Sequence, residues 1–189
     1  MELRVLDRDA ALGVYTQQMT RDFPAEELKP FYAVEELMQA GLYEPLAFYE
    51  GGALSAYAWQ VALPGADCAL MDYFAVLRGR RGGGVGTAVL AQLQEYYATC
   101  RRALLVESEH PAEAPDPAAA RRRIGFYLRA GARFTAMESR LFGVRYQILA
   151  LPCGGAAIAD TAVHRNLQAL YRAMVPEPYY RGNVIFYGC

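Results

Sequence analysis

The chain has a single lysine, Lys29, two histidines, and no apolar run of about 18 residues, so no membrane-spanning helix is predicted. Its net charge is −1 over 189 residues, which leaves no global basic footprint for nucleic acid or for an anionic membrane surface. Any electrostatic work must be local. Cys68, Cys100, Cys153 and Cys189 are far apart, form no C-x-x-C pair and stand near neither His110 nor His164 in sequence. No metal centre is expected from that pattern. The first residues lack a basic segment followed by about 7 to 15 apolar ones, so the expectation is a cytoplasmic chain with reduced thiols.

What is present is a composition that can build a core. The chain is 54% hydrophobic and 21% charged, which excludes a disordered or linker-like protein. With no repeat and no linker, residues 1–189 read as one domain.

"LRVL" (Leu3 to Leu6) reads as a first strand, and Asp7 or Asp9 can cap a helix bearing Leu12, Tyr15 and Met19. A second helix starts near Pro30 and stops at Gly41. "EPLAFYE" and "ALSAYAWQVAL" then form a hairpin about Gly51 and Gly52, and "CALMDYFAVL" is a third run of the same meander. A helix from about Gly84 to Cys100, with Val85, Val89, Leu93, Tyr96 and Cys100 inward, leads to the strand "ALLVESE". Strand, long helix, strand at this spacing is a βαβ-type unit, so the sheet is mixed. Asp116 and Pro117 open a helix through Tyr127. "ARFTAME" and "FGVRYQILAL" are further strands, the second alternating from Phe142, before a helix at about Ala157 to Met174 and an aromatic tail.

The stretch "RGRRGGGVGTAVL", Arg78 to Leu90, puts glycines and arginines at the start of a helix. That arrangement suits phosphate, because unpaired backbone N–H groups and the helix dipole converge on one spot. Each such interaction contributes ~0.3 to 1 kcal/mol when exposed and about 2 when partly buried, so several donors are needed. Gly79 and Gly84 have the first spacing of a Walker A loop, but Val85 stands where its lysine must be. A dinucleotide fingerprint from Gly82 and Gly84 has Thr87 in place of its third glycine. The pattern [QR]-x-x-G-x-[GA] is met by Arg81-Gly82-Gly83-Gly84-Val85-Gly86. A solvated glycine-rich turn is the alternative.

With the strand ending "DYFAV" before it and the helix "FYLRAGARF" after it, the chain resembles the GNAT superfamily of acetyl-CoA-dependent acyltransferases over roughly Met1 to Leu151. The resemblance implies an α/β (α+β) fold with a mixed central sheet of about seven strands, splayed between the fourth and fifth and flanked by helices. Residues 152–189 would be a helical and strand extension. It implies that Phe74, Ala75 and Val76 pair with the pantetheine amides of acetyl-CoA, and that Arg81, Gly82, Gly83, Gly84, Val85, Gly86 and Thr87 hold its pyrophosphate. Phe126, Tyr127 and Gly131 match a second signature, with Ala132 replacing the usual aromatic.

Acetyl transfer to an amine must remove a proton from an ammonium of pKa ~10 and release a thiolate of pKa ~8.5. The resemblance implies that Tyr127 occupies the family position that often protonates the thiolate, and a core role is its alternative. Asp72 interrupts an apolar strand, and a carboxylate there is costly unless paired or open to a cleft. Glu107 and Glu109 lie two apart on one face of the next strand, as candidates for deprotonating an amine or holding a cation. The expected activity is direct transfer to a small-molecule amine. A non-catalytic acyl-CoA-binding module and a protein or peptide acetyltransferase are the alternatives. The aromatics Tyr179, Tyr180, Phe186 and Tyr187 suggest docking onto the body or onto a mate in a homodimer, or a wall of the acceptor pocket.

Overall fold

A computed structural model describes residues 1–154 and 157–188, so Cys189 lies outside the described residues. The elements in chain order are β1 (Glu2–Val5), α1 (Arg8–Val14), a π-helical turn (Tyr15–Met19), α2 (Thr20–Asp22), α3 (Phe31–Gln39), β2 (Tyr43–Glu50), β3 (Ala53–Ala62) and β4 (Cys68–Val76). They continue with α4 (Val85–Tyr97), β5 (Ala103–Glu109), α5 (Pro117–Arg129), β6 (Arg133–Leu141), β7 (Val144–Pro152), α6 (Asp160–Met174), α7 (Glu177–Asn183) and β8 (Val184–Tyr187). The strands form one mixed sheet in the order β1-β2-β3-β4-β5-β7-β6-β8. It has eight strands where about seven were expected, because the tail supplies β8.

The chain divides into two compact units, Met1–Pro64 with Asp72–Val89, and Gly65–Met71 with Leu90 onward. In the first, Asp7 caps α1 by accepting the Ala10 N–H at 2.9 Å. β2 and β3 are antiparallel from Tyr43↔Val61, with a bulge at Phe48/Tyr49. Their turn uses Gly51 at φ 57° and Gly52 at φ 80°, the left-handed pair that matches hairpin twist. Phe48, Tyr57, Trp59, Met19 and Val34 are fully buried. Tyr15 stacks on Trp59 at 6.5 Å.

In the second unit β5 is central. It runs parallel to β4 over Cys68↔Ala103 to Met71↔Val106 and antiparallel to β7 along its whole length. Burial on both faces explains why Ala103 to Val106 is continuously apolar. α5 starts on Asp116, whose carboxylate accepts the N–H groups of Ala118 and Ala119. α6 buries Val163, Leu167, Leu170 and Tyr171, the stripe its spacing predicts.

Three details differ from expectation. Phe142 is in the β6–β7 turn, because that turn needs two left-handed residues and takes Phe142 (φ 49°) with Gly143 (φ 89°). In α4 the buried stripe is Val89, Leu90, Leu93 and Tyr97, with Tyr96 outside, a rotation of the face by one residue. Cys100 follows that helix and is exposed, whereas Cys68 and Cys153 are buried. No helix among the described residues is long and apolar enough to cross a membrane.

Asn166 ties α6 to the sheet: its Oδ1 accepts the Cys68 N–H at 3.3 Å and its Nδ2 donates to the Ala162 carbonyl at 2.8 Å. Removing one partner of a buried hydrogen bond costs about 1–3 kcal/mol. Asn166→Ala should therefore lower the melting temperature by several degrees in a thermal denaturation scan, and an unchanged midpoint would contradict this anchoring.

Candidate acetyl-CoA and proton-transfer site

In the first unit, β4 ends in half-buried Phe74, Ala75 and Val76 and enters the glycine loop. Pairing of β4 with β5 is confined to Cys68–Met71, so the Asp72–Val76 half lies beyond that ladder. Arg78–Arg80 form a single 3-10 turn, and Gly82 (φ 86°) and Gly84 (φ 79°) take left-handed conformations that bring the chain onto the start of α4. A Cβ at Gly82, Gly83 or Gly84 would meet nothing within 4 Å, so these glycines serve backbone conformation and open approach instead of tight packing. The first helical hydrogen bond closes from the Ala88 N–H to the Gly84 carbonyl at 3.0 Å. Val85, Gly86 and Thr87, ahead of it, have no intrahelical acceptor.

The arginines are partly committed. Arg81 donates from Nε to the Val76 carbonyl at 2.9 Å and from Nη2 to Asp22 Oδ1 at 3.4 Å. Arg78 donates to the Arg21 carbonyl at 3.0 Å. Asp22 also accepts the Tyr57 hydroxyl at 3.0 Å, and burial of Tyr57, then the Asp22 charge, raises the Tyr57 pKa. Arg81 is thus a strut across the loop.

Asp72 is paired. Lys29 Nζ donates to Oδ1 at 2.6 Å and to Oδ2 at 2.8 Å, and the Tyr43 hydroxyl donates to Oδ2 at 2.5 Å. The side chains of Asp72 and Lys29 are 9% and 27% exposed, which makes this a largely buried ion pair. Burial first, then the Asp72 charge, pushes the Tyr43 pKa well up, so the phenol stays a donor. Next along β4, the Tyr73 hydroxyl accepts the Lys29 N–H and donates to the Glu27 carbonyl, both at 2.8 Å. Two adjacent residues of β4 therefore fasten the segment before α3. The one lysine in the sequence was the available clue to this pairing; Tyr43 had no local signal.

In the second unit Tyr127 is 7% exposed, with its hydroxyl 4.0 Å from Met71 Sδ. Burial pushes its pKa up to about 12, against a smaller opposing effect of Arg123. Glu107 Oε2 accepts the Tyr171 hydroxyl at 2.6 Å, a partner 64 positions away that local sequence did not indicate. Glu109 meets Arg123 at 3.4 Å. His110, which had no evident partner in sequence, lies 3.7 Å from Glu138 and accepts the Ala112 N–H on Nδ1 at 3.2 Å. No group of three or more His, Cys, Asp or Glu side chains able to hold a metal gathers among the described residues.

No family model and no curated protein matches the chain. Solved structures do. A GNAT-family protein of Bacteroides thetaiotaomicron superposes with a TM-score of 0.71 at 18% identity, over 90% of this chain and 96% of that one. A GNAT-family protein of Desulfovibrio desulfuricans gives 0.61 at 25% identity, over 81% and 99%. The Salmonella typhimurium protein yncA, whose structure holds its cofactor acetyl-CoA, gives 0.56 at 17% identity, over 85% and 98%. The chain thus has the fold of these GNAT-family proteins.

Breaking a buried ion pair from one side strands the other charge and costs about 3 kcal/mol. Lys29→Met should lower stability by that order in urea denaturation, through the midpoint at constant slope. A wild-type midpoint would mean that Asp72 does not depend on Lys29.

Proposed function

We propose that the protein transfers an acetyl group from acetyl-CoA to an amine, with a small molecule as acceptor, directly within a ternary complex. The observation that carries this reading is the loop from Arg81 to Thr87, which leaves a strand end beyond the β5 ladder and opens a helix whose first amides have no intrahelical acceptor and whose glycines are uncrowded. Bound there, acetyl-CoA would supply an activated thioester.

The chain's own residues divide the remaining work. The N–H groups of Gly82 to Thr87 would hold the pyrophosphate, and Arg81 would shape the loop as well as neutralise charge. Phe74, Ala75 and Val76 offer the strand edge for the pantetheine amides. Tyr127 is assigned as the hydroxyl that donates to the departing thiolate, consistent with a phenol that burial keeps protonated. Glu107 is assigned to the acceptor ammonium, as base or through an intervening water. Glu109 would add negative charge for a cationic acceptor, moderated by Arg123. Asp72, paired with Lys29 and hydrogen-bonded by Tyr43, is assigned to holding the segment before α3 instead of taking the proton.

Two measurements test the reading. Alanine at a left-handed position costs about 1–2 kcal/mol, and at Gly84 the added methyl would meet nothing within 4 Å. Gly84→Ala should thus weaken acetyl-CoA binding in calorimetry by roughly tenfold through backbone conformation alone. Wild-type affinity would remove the loop from the donor site.

The second concerns the hydroxyl of Tyr127. Tyr127→Phe should retain acetyl-CoA affinity and slow thiol release at saturating acceptor by ~10 to 100-fold. Unchanged turnover would leave Tyr127 as a core residue. Binding of acetyl-CoA without thiol release across a panel of amines would favour a non-catalytic acyl-CoA-binding module.

A further inference from the structure

The extension after β7 reaches the carboxylate of Glu107. α6 presents Val163, Leu167, Leu170 and Tyr171 to the interior, so its apolar stripe ends in a residue with a polar tip. That tip donates a 2.6 Å hydrogen bond to Glu107 Oε2, from a position 64 residues later in the chain. Tyr171 is 5% exposed, so packing places its hydroxyl and solvent does not compete for it. Its ring meets Phe186 of β8 edge-on, with centroids 5.6 Å apart. Phe186 is itself set by the β6–β8 ladder, opposite Ser139.

The helix carrying Tyr171 is fastened independently. At its first residue, Asp160 receives Arg133 Nη2 at 2.7 Å and the Ala136 N–H at 2.8 Å. Midway, Asn166 receives the Cys68 N–H. A short hydrogen bond from a neutral donor to a carboxylate is charge-assisted and directional, so it restrains rotation of the carboxyl group about its last bond. An unrestrained glutamate on a strand samples several rotamers, whereas a proton acceptor needs its oxygen held in line with the donor.

We infer that Tyr171 is a positioning residue for Glu107, which makes the C-terminal extension a working part of the acceptor-handling apparatus. This rests on the proposed role of Glu107 in deprotonating or holding the acceptor amine. Tyr171 itself touches no reacting atom. It acts by restraining the Glu107 carboxyl group through Oε2.

The test compares wild type, Tyr171→Phe, Glu107→Gln and the double variant. Thiol release from acetyl-CoA is followed with spermidine, an alanyl peptide and water as acceptors, alongside acetyl-CoA affinity and melting temperature. Tyr171→Phe keeps the ring against Phe186 and should lower kcat/KM for the acceptor by about tenfold, the usual scale for a hydrogen bond to a charged group, with acetyl-CoA affinity unchanged. Glu107→Gln should cost at least as much, and the double variant should be no slower than Glu107→Gln alone, as expected for residues acting as a unit.

Independent, multiplying losses, or a wild-type rate for Tyr171→Phe beside an impaired Glu107→Gln, would overturn the assignment of Tyr171 while leaving Glu107 in place. A wild-type rate for Glu107→Gln would overturn the role of Glu107, and absence of release with every acceptor would overturn the transferase reading; the inference falls with either. If Tyr171→Phe does not fold, 3-fluorotyrosine at position 171 keeps the packing and acidifies the hydroxyl. It should then change the rate in the wild-type background and not with Glu107→Gln, and an equal effect in both would refute the positioning role.

Discussion

Strand β4 has to be two things in nine residues, and the polar architecture follows from that demand. Cys68 to Met71 is a core strand buried against a parallel neighbour, whereas Asp72 to Val76 runs beyond that ladder into a glycine loop. Asp72 sits where the character changes, and a carboxylate there cannot be left uncompensated. The compensation is specific: one ammonium across both oxygens and one phenol on Oδ2. Because Lys29 comes from the segment between α2 and α3, neutralising Asp72 also sets the course of that segment. The hydroxyl of Tyr73 reinforces it by holding backbone groups of Glu27 and Lys29.

The glycine loop shows how the chain divides conformational work from charge. Left-handed Gly82 and Gly84 turn the backbone, and a strut from Arg81 to the Val76 carbonyl and to Asp22 holds the turn against the strand it leaves. An arginine used in this way contributes less free charge to an anion than its count suggests. In the proposed donor site the burden therefore falls on backbone donors, each worth about 0.3–2 kcal/mol, and their value rests on being fixed in advance.

Much of this was legible from local pattern. The hairpin about Gly51 and Gly52, the crossover helix between β4 and β5, the cap at Asp116 and the stripe of α6 each arise from residues a few positions apart. The losses fall where a decision is tertiary. Tyr96 and Tyr97 are chemically identical neighbours, and which one is buried depends on a helix rotation of about 100°. Placement of β7 between β5 and β6, with β8 outside, depends on strand pairing that no single segment encodes. The partners of the carboxylates were hidden for the same reason: Lys29 and Asp72 are 43 positions apart, and Glu107 and Tyr171 are 64 apart.

The two tyrosines of the second unit are tuned in different ways, and that difference bears on how the proposed reaction moves protons. Tyr171 spends its proton on a carboxylate, where it orients and does not transfer. Tyr127 is buried beside a thioether, and burial raises its pKa to about 12. Burial disfavours the phenolate, so the hydroxyl is held as a donor. In the proposed reaction its contribution is a hydrogen bond donated to sulfur as negative charge develops. This limits the rate advantage of the hydroxyl to the modest range expected for assisting a leaving group that departs readily. It places the harder step, removing the proton from the acceptor ammonium, on the carboxylate that Tyr171 holds.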